Sequence, residues 1–166
     1  MTAPIELDAP GRRRSLVAAT ALVAAIVGLD GATKRLGEAQ LDRGEARWLI
    51  DGWVGLERTT NSGVAFGLLD GHWFVWVLLV VAVAGLGWIA RDIARDATSV
   101  AGLIPVAAIV AGSLGNLIDR LGDGRVTDLI AVGPWPRFNI ADSSLTIGLV
   151  LLLVQSATTK GHDLHD

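Results

Sequence analysis

Two Asn-x-x-Asp units stand out in this 166-residue chain, Asn116 to Asp119 and Asn139 to Asp142. Aspartates brought within a few ångströms of each other cannot both ionise, so such a pair shares one proton, one member acting as base and the other as acid. That is the equipment for activating water against a peptide bond. Asn116 and Asn139, one helical turn before each Asp if the helix extends that far, could hydrogen-bond the carboxylates or a substrate backbone. The plainer alternative pairs Asp119 with Arg120 and makes Asp142 a cap for the helix that begins Ser143-Ser144-Leu145-Thr146. Each Asp alone favours the plainer reading; the mirrored spacing reverses the balance.

Apolar elements must carry these groups. Hydrophobic residues make up 51% of the chain, charged residues only 19%, and the mean hydropathy is +0.49. Long stretches free of charged residues run from Ser15 to Leu29, Gly71 to Ala90, Ala97 to Ile118 and Ser143 to Thr159. Each is near the roughly 20 residues that span a hydrocarbon layer of about 30 Å. The expected fold class is an α-helical integral membrane protein of one polytopic domain over residues 1–166. Its four transmembrane helices are predicted at about 15–36, 72–90, 97–118 and 142–159, with outer loops at about 37–71 and 119–141. The two Asn-x-x-Asp units then flank the last outer loop at one leaflet, where their carboxylates can meet. The uncharged run after Asp142 rises only about 26 Å, which sets Asp142 at or just below the interface. An ionisable group costs about 2.5 to 3.5 kcal/mol at mid-membrane and less near the edge, so its presence there points to function.

Charge orients the spans. Arg12, Arg13 and Arg14 precede the first one, and Arg91 and Arg95 lie in the short connection between the second and third. Basic residues in short loops mark the cytoplasmic side. Eight of the 14 Lys and Arg lie between residues 30 and 71 or 119 and 142, on the opposite side, but those loops are long or mix in acids. Both termini are therefore expected in the cytoplasm. Trp73, Trp76, Trp88 and Trp135 fall where interfacial rings belong, although any one could be an ordinary packing aromatic. The arginine-led start imitates a signal peptide. No convincing small-x-small cleavage site follows it, and three more apolar segments make an uncleaved first helix the simpler reading. In the first outer loop, Asp51-Gly52 between short apolar pieces is a hairpin signal, suiting a small β element on the membrane surface.

Several classes are excluded. A net charge of −3 with interleaved acids and bases provides no basic stripe for nucleic acid. Without cysteine there is no thiolate nucleophile or Cys metal site. Of the three histidines, His162 and His165 lie in the tail, leaving His72 as a poor base for a serine protease and no multi-His metal site. No internal repeat or interdomain linker is evident.

Taken together, the chain resembles the bacterial lipoprotein signal peptidases (signal peptidase II). The resemblance covers essentially its whole length and rests on five blocks in order: Asp30, Thr33 and Lys34 in DGATK, NSGVAF at 61–66, GNLIDR at 115–120, VTDLI at 126–130 and FNIAD at 138–142. It implies a membrane aspartyl endopeptidase that removes signal peptides from diacylglyceryl-modified prolipoproteins, cutting just before the lipidated Cys. It also implies Asp119 and Asp142 as the catalytic pair, no metal or other cofactor, and a site at the outer face of the cytoplasmic (inner) membrane. The implied fold adds a small extracytoplasmic β cradle and a short outer helix. Partners would be the prolipoproteins and membrane lipids, with no nucleic acid.

The remaining blocks carry supporting expectations. Asp30 and Lys34, four apart on the first helix, read as a neutralising pair that braces it, slightly ahead of substrate contact. Asn61 could hydrogen-bond a substrate backbone, Gly63 would allow close backbone approach, and Phe66 would offer an apolar wall, with scaffold roles equally open. Arg120 could hold a lipid phosphate or pair with Asp128, which is expected to be structural. Gly31 stands where the family usually has Gln, and Leu129 where it usually has Phe. These departures leave the Asp pair intact but bear on which signal peptides this chain handles. The competing readings are a proton or ion carrier using Asp30, Asp119 and Asp142, and a binding or assembly factor of the same fold without chemistry.

Overall fold

The computed structural model describes residues 9–61, 63–64, 69–70, 73–94 and 100–162. Four helices dominate them: α1 (Ala9–Gln40), α2 (Trp73–Ala94), α3 (Val100–Gly122) and α4 (Ile140–His162). Between α1 and α2 lie strands β1 (Ala46–Ile50), β2 (Val54–Asn61), β3 (Gly63–Val64) and β4 (Leu69–Asp70), and β5 (Val126–Val132) joins α3 to α4. Phe66, His72, Arg95 and His165 lie outside the described residues, and no short outer helix occurs among those described.

The centre of the helical layer is α3. Two-thirds (67%) of its apolar window is buried, against 11% for α1 and 17% for α4, so it is the helix the others surround. Leu103, Val106, Ala107 and Val110 form its core with Ala19 of α1 and Ile89 of α2. Close approach to α4 depends on missing side chains. A Cβ at Gly112 would overlap the Ala141 carbonyl and Leu145, and one at Gly148 would stand 2.7 Å from the Pro105 carbonyl oxygen.

The outward faces are apolar as well: Val80, Val83 and Leu86 on α2 and Leu149, Val150, Leu153 and Val154 on α4 are exposed. So much contiguous apolar surface belongs in lipid rather than water. Three helices are long and apolar enough to cross a membrane, within Arg13–Gln40, Gly102–Gly122 and Ile140–Ala157, and α2 contains the shorter apolar segment Leu79–Ile89. Helix ends differ from the expected spans. The third helix continues through Asp119 and Arg120 to Gly122 instead of yielding to a loop at 119, and α4 starts at Ile140 because Asn139 caps it.

The hairpin at Asp51-Gly52 is present: β1 and β2 pair antiparallel, with Ile50 opposite Val54 and the turn closed by the Trp53 N–H to the Ile50 carbonyl at 2.9 Å. The other edge of β2 pairs with β5, giving the order β1-β2-β5. Register sets Thr59 opposite Asp128 and Asn61 opposite Val126. An isolated bridge between Ile130 and Phe138 then folds the segment before α4 back onto β5.

Candidate active site

The FNIAD segment folds as a reciprocal helix cap. Asn139 is the N-cap: its Oδ1 accepts the Asp142 N–H at 2.8 Å, while Asp142 Oδ2 accepts the Asn139 N–H at 3.3 Å. Each side chain satisfies a backbone donor that a helix start otherwise leaves free. Asp142 is thus held one turn inside α4 rather than capping it, with its other oxygen, Oδ1, receiving the Asn116 amide at 2.7 Å. The same helix start takes a second carboxylate, since Asp30 Oδ1 accepts the Ala141 N–H at 2.9 Å. Gly115 makes room for it: a Cβ there would lie 2.9 Å from Asp30 Oδ2.

Asp30 and Lys34 do form the expected pair, at 2.7 Å, but the Lys34 ammonium is shared. It also stands 2.6 Å from Asp119 Oδ2 and donates to Asn116 Oδ1 at 3.3 Å. Two ion pairs and one hydrogen bond thus surround the buried ammonium. Asn116 is the hub, touching Lys34 and Asn139 through Oδ1 and Asp142 through Nδ2. Both Asn-x-x-Asp units therefore converge, joined through Asn116, Asn139 and Lys34.

Asp128, expected to be structural, lies in the same cluster. It is 4% exposed, and its Oδ1 accepts the Asn139 side-chain amide at 2.8 Å. Asn61, brought alongside by the β2–β5 pairing, also hydrogen-bonds its carboxylate. Burial first, and the charge of Asp142 second, push the Asp128 carboxyl up to about 7 against the opposing pull of Asn139, Lys34 and Asn61. Arg120 feels the charges of Asp142, Asp128 and Asp119, and its guanidinium approaches the Asn116 carbonyl at 3.5 Å. Alternation along β5 separates Asp128 from its neighbour: Thr127 donates to Glu38 of α1 at 2.6 Å, so Asp128 faces the other way.

Four carboxylates, from Asp30, Asp119, Asp128 and Asp142, face two cations, Lys34 and Arg120, leaving two negative charges uncompensated if all ionise. Retaining a proton on the cluster is the inexpensive remedy. Among the described residues no group of three or more His, Cys, Asp or Glu is arranged to hold a metal ion. Asp142 also lines a groove of about 300 Å³ with Trp135, Phe138, Ser143, Thr146 and Ile147, open on the outer face of α4. Gly63 lies opposite Asp70 in the β3–β4 ribbon, and Thr33 is spent within α1, bonding the Leu29 and Asp30 carbonyls. A Cβ at Gly31 would meet nothing within 4 Å.

Comparison with known proteins adds to this geometry. The sequence profile of the family described as Signal peptidase (SPase) II matches residues 22–158. A lipoprotein signal peptidase of Desulforapulum autotrophicum is 36% identical over 162 residues, covering 91% of this chain and 98% of the relative. One from Mycobacterium avium is 35% identical over 158 residues, 90% of this chain and 82% of the relative. Among solved structures, a bacterial membrane enzyme determined by the in meso method at 2.3 Å resolution superposes with a TM-score of 0.77 at 28% identity, covering 89% of this chain and 91% of that one.

Proposed function

The chain belongs to the signal peptidase II family, and on that premise we propose how its polar cluster carries out the family's reaction. The protein is a membrane peptidase that cleaves signal peptides from lipoprotein precursors. Asp142 and Asp128 activate the water. The observation that carries this reading is Asn139, whose side-chain amide holds Asp128 while its backbone N–H holds Asp142, so one residue clamps two carboxylates whose charges interact. Sharing a proton, the ionised member takes a proton from water as it attacks the scissile carbonyl. The protonated member hydrogen-bonds the carbonyl oxygen and assists proton delivery to the leaving amine. The proton belongs to the pair, so neither Asp is assigned as the base.

The sequence expectation named Asp119 with Asp142. Asp119 is instead ion-paired with Lys34 at 2.6 Å, which suits a positioning role. Its side chain is nevertheless 22% exposed, more open to water than Asp128, which keeps the Asp119–Asp142 pair as the second reading.

The remaining assignments share this footing. The four helices cross the inner membrane with both termini cytoplasmic, the sheet and the site lie at the outer face, and residues 1–166 form one polytopic domain. Arg120 and Asn61 bind substrate beside the pair, Gly63 lets its backbone approach, and Asn116, Asp30 and Lys34 hold the carboxylates. Substrate arrives laterally, its signal helix along the α4 groove and its diacylglyceryl chains in the bilayer, which supplies the positioning. Equal turnover of an unlipidated precursor would defeat that last point.

The test is cleavage of a diacylglyceryl-modified prolipoprotein by purified, folded protein beside its Asp142→Asn, Asp128→Asn and Asp119→Asn variants. The first two lose about 10²- to 10⁴-fold in rate, and Asp119→Asn keeps measurable turnover. Full loss in Asp119→Asn with activity left in Asp128→Asn would transfer the assignment to Asp119. Equal cleavage by all four proteins would remove the aspartyl mechanism altogether.

A further inference from the structure

A cavity of about 390 Å³ opens between the outer end of α1 and the three-stranded sheet, apart from the groove at Asp142. We propose that it binds a membrane phospholipid, one acyl chain filling its body and the phosphate resting at Arg47. The walls are ordered as such a ligand requires. Thr33, Leu36, Gly37 and Gln40 of α1 line one side, with Arg47, Leu56 and Leu129 of the sheet on the other. Gly37 is the floor, because a Cβ there would overlap the Leu129 side chain.

Depth and position fit a lipid. From Thr33 to Gln40 the helix rises roughly 10 Å, about two-thirds of the roughly 15 Å of hydrocarbon in one leaflet. The membrane-crossing stretch of α1 lies within Arg13–Gln40, and its last eleven residues carry Asp30, Lys34, Arg35 and Glu38, so the cavity sits toward the headgroups at the end of the span. Leu36 is 59% exposed and Leu56 50%, so the mouth opens where α1 meets lipid.

Arg47 supplies the charge complement. Its Nη2 donates to the Gln40 carbonyl at 2.8 Å and its Nε to Glu45 at 3.3 Å, which fixes the fork at the rim while the side chain stays 59% exposed. A guanidinium so placed suits a phosphate oxygen. The bound chain would press on Leu129, the neighbour of Asp128, and on Asn139, which lines the cavity and also holds Asp128. Lipid occupancy therefore bears on the carboxylate cluster from behind.

The test uses the full chain in liposomes containing phosphatidylglycerol with a diazirine midway along one acyl chain, beside a matched diacylglycerol probe lacking the phosphate. The expected result is crosslinking concentrated on residues 33–41 and around Leu56, at least fivefold weaker with the diacylglycerol probe and in Arg47→Glu. Leu56→Trp, which plugs a half-exposed wall outside the catalytic machinery, should abolish that labelling while retaining signal-peptide cleavage. Labelling spread evenly over all lipid-facing helices, or equal with both probes, would overturn the proposal. So would displacement by diacylglyceryl-modified precursor but not by unlabelled phosphatidylglycerol, which would assign the cavity to the substrate's own chain.

Discussion

Asp128 and Asp119 show how neighbours decide what a carboxylate can do. Asp119 has an ammonium 2.6 Å away, whereas Asp128 has amides from Asn139 and Asn61 and the negative charge of Asp142. With its carboxyl near 7, Asp128 keeps its proton at mildly acidic pH and loses it above neutrality. If Asp128 is the acid of the pair, kcat/KM should fall as pH rises through about 7, measured on a lipidated precursor. Stability follows the same sign: the folded-state value lies above the ordinary 3.8, so the contribution of Asp128 is complete below about 4 and lost as pH rises through 7. Thermal unfolding in detergent should show a Tm that declines over this window in the parent and declines less in Asp128→Asn. Lys34→Met is a separate case, since it strips the charge partner from Asp30 and Asp119 together. Buried carboxylates left unpaired are strongly destabilising, by about 3 to 5 kcal/mol, so a large drop in Tm is expected alongside lost activity.

The start of α4 concentrates the site's geometry in five residues. Asn139→Ala removes the cap, worth about 0.5 to 2 kcal/mol, and also the amide that bonds Asp128. Its activity should therefore fall further than its stability, a split that paired cleavage and unfolding measurements would register; proportionate losses would reduce Asn139 to a cap. The helices were readable because their apolar runs are long, and the hairpin because Asp51-Gly52 separates two β-prone pieces. The role of Asp128 was not, because Val126 to Ile130 reads as an ordinary strand and only pairing with β2 and the Phe138 bridge turn that strand toward α4. Likewise Asp30 and Lys34 read as a local i,i+4 pair, while their contacts to Ala141 and Asp119 arise from the packing of α1 against α3 and α4. The departure at Gly31 leaves open space on α1, and Leu129 packs on Gly37 beside the cavity; Gly31→Gln should therefore be accommodated without loss of Tm.

Across the whole molecule, exposed apolar helix faces and a polar cluster near one end of the bundle divide the protein into a lipid-embedded part and an interfacial one. The absence of cysteine makes the orientation directly measurable. Single-cysteine variants at Asp51, in the hairpin turn, and at Arg91, exposed near the end of α2, should react oppositely with an impermeant maleimide in intact spheroplasts. Labelling at 51 alone matches an outer sheet; labelling at 91 alone would invert the topology. The hydrogen bond from Ala141 to Asp30 joins residues 111 positions apart, and chain growth gives that separation a temporal meaning. While the ribosome is still adding residues, α1 and α3 can already bring Lys34 between Asp30 and Asp119, but Asp142 and the cap that aims it come with the last helix. A nascent chain halted before α4 would hold these charges largely matched and, on the proposed mechanism, would lack one of its two reacting carboxylates. On that mechanism, competence for hydrolysis follows the insertion of α4.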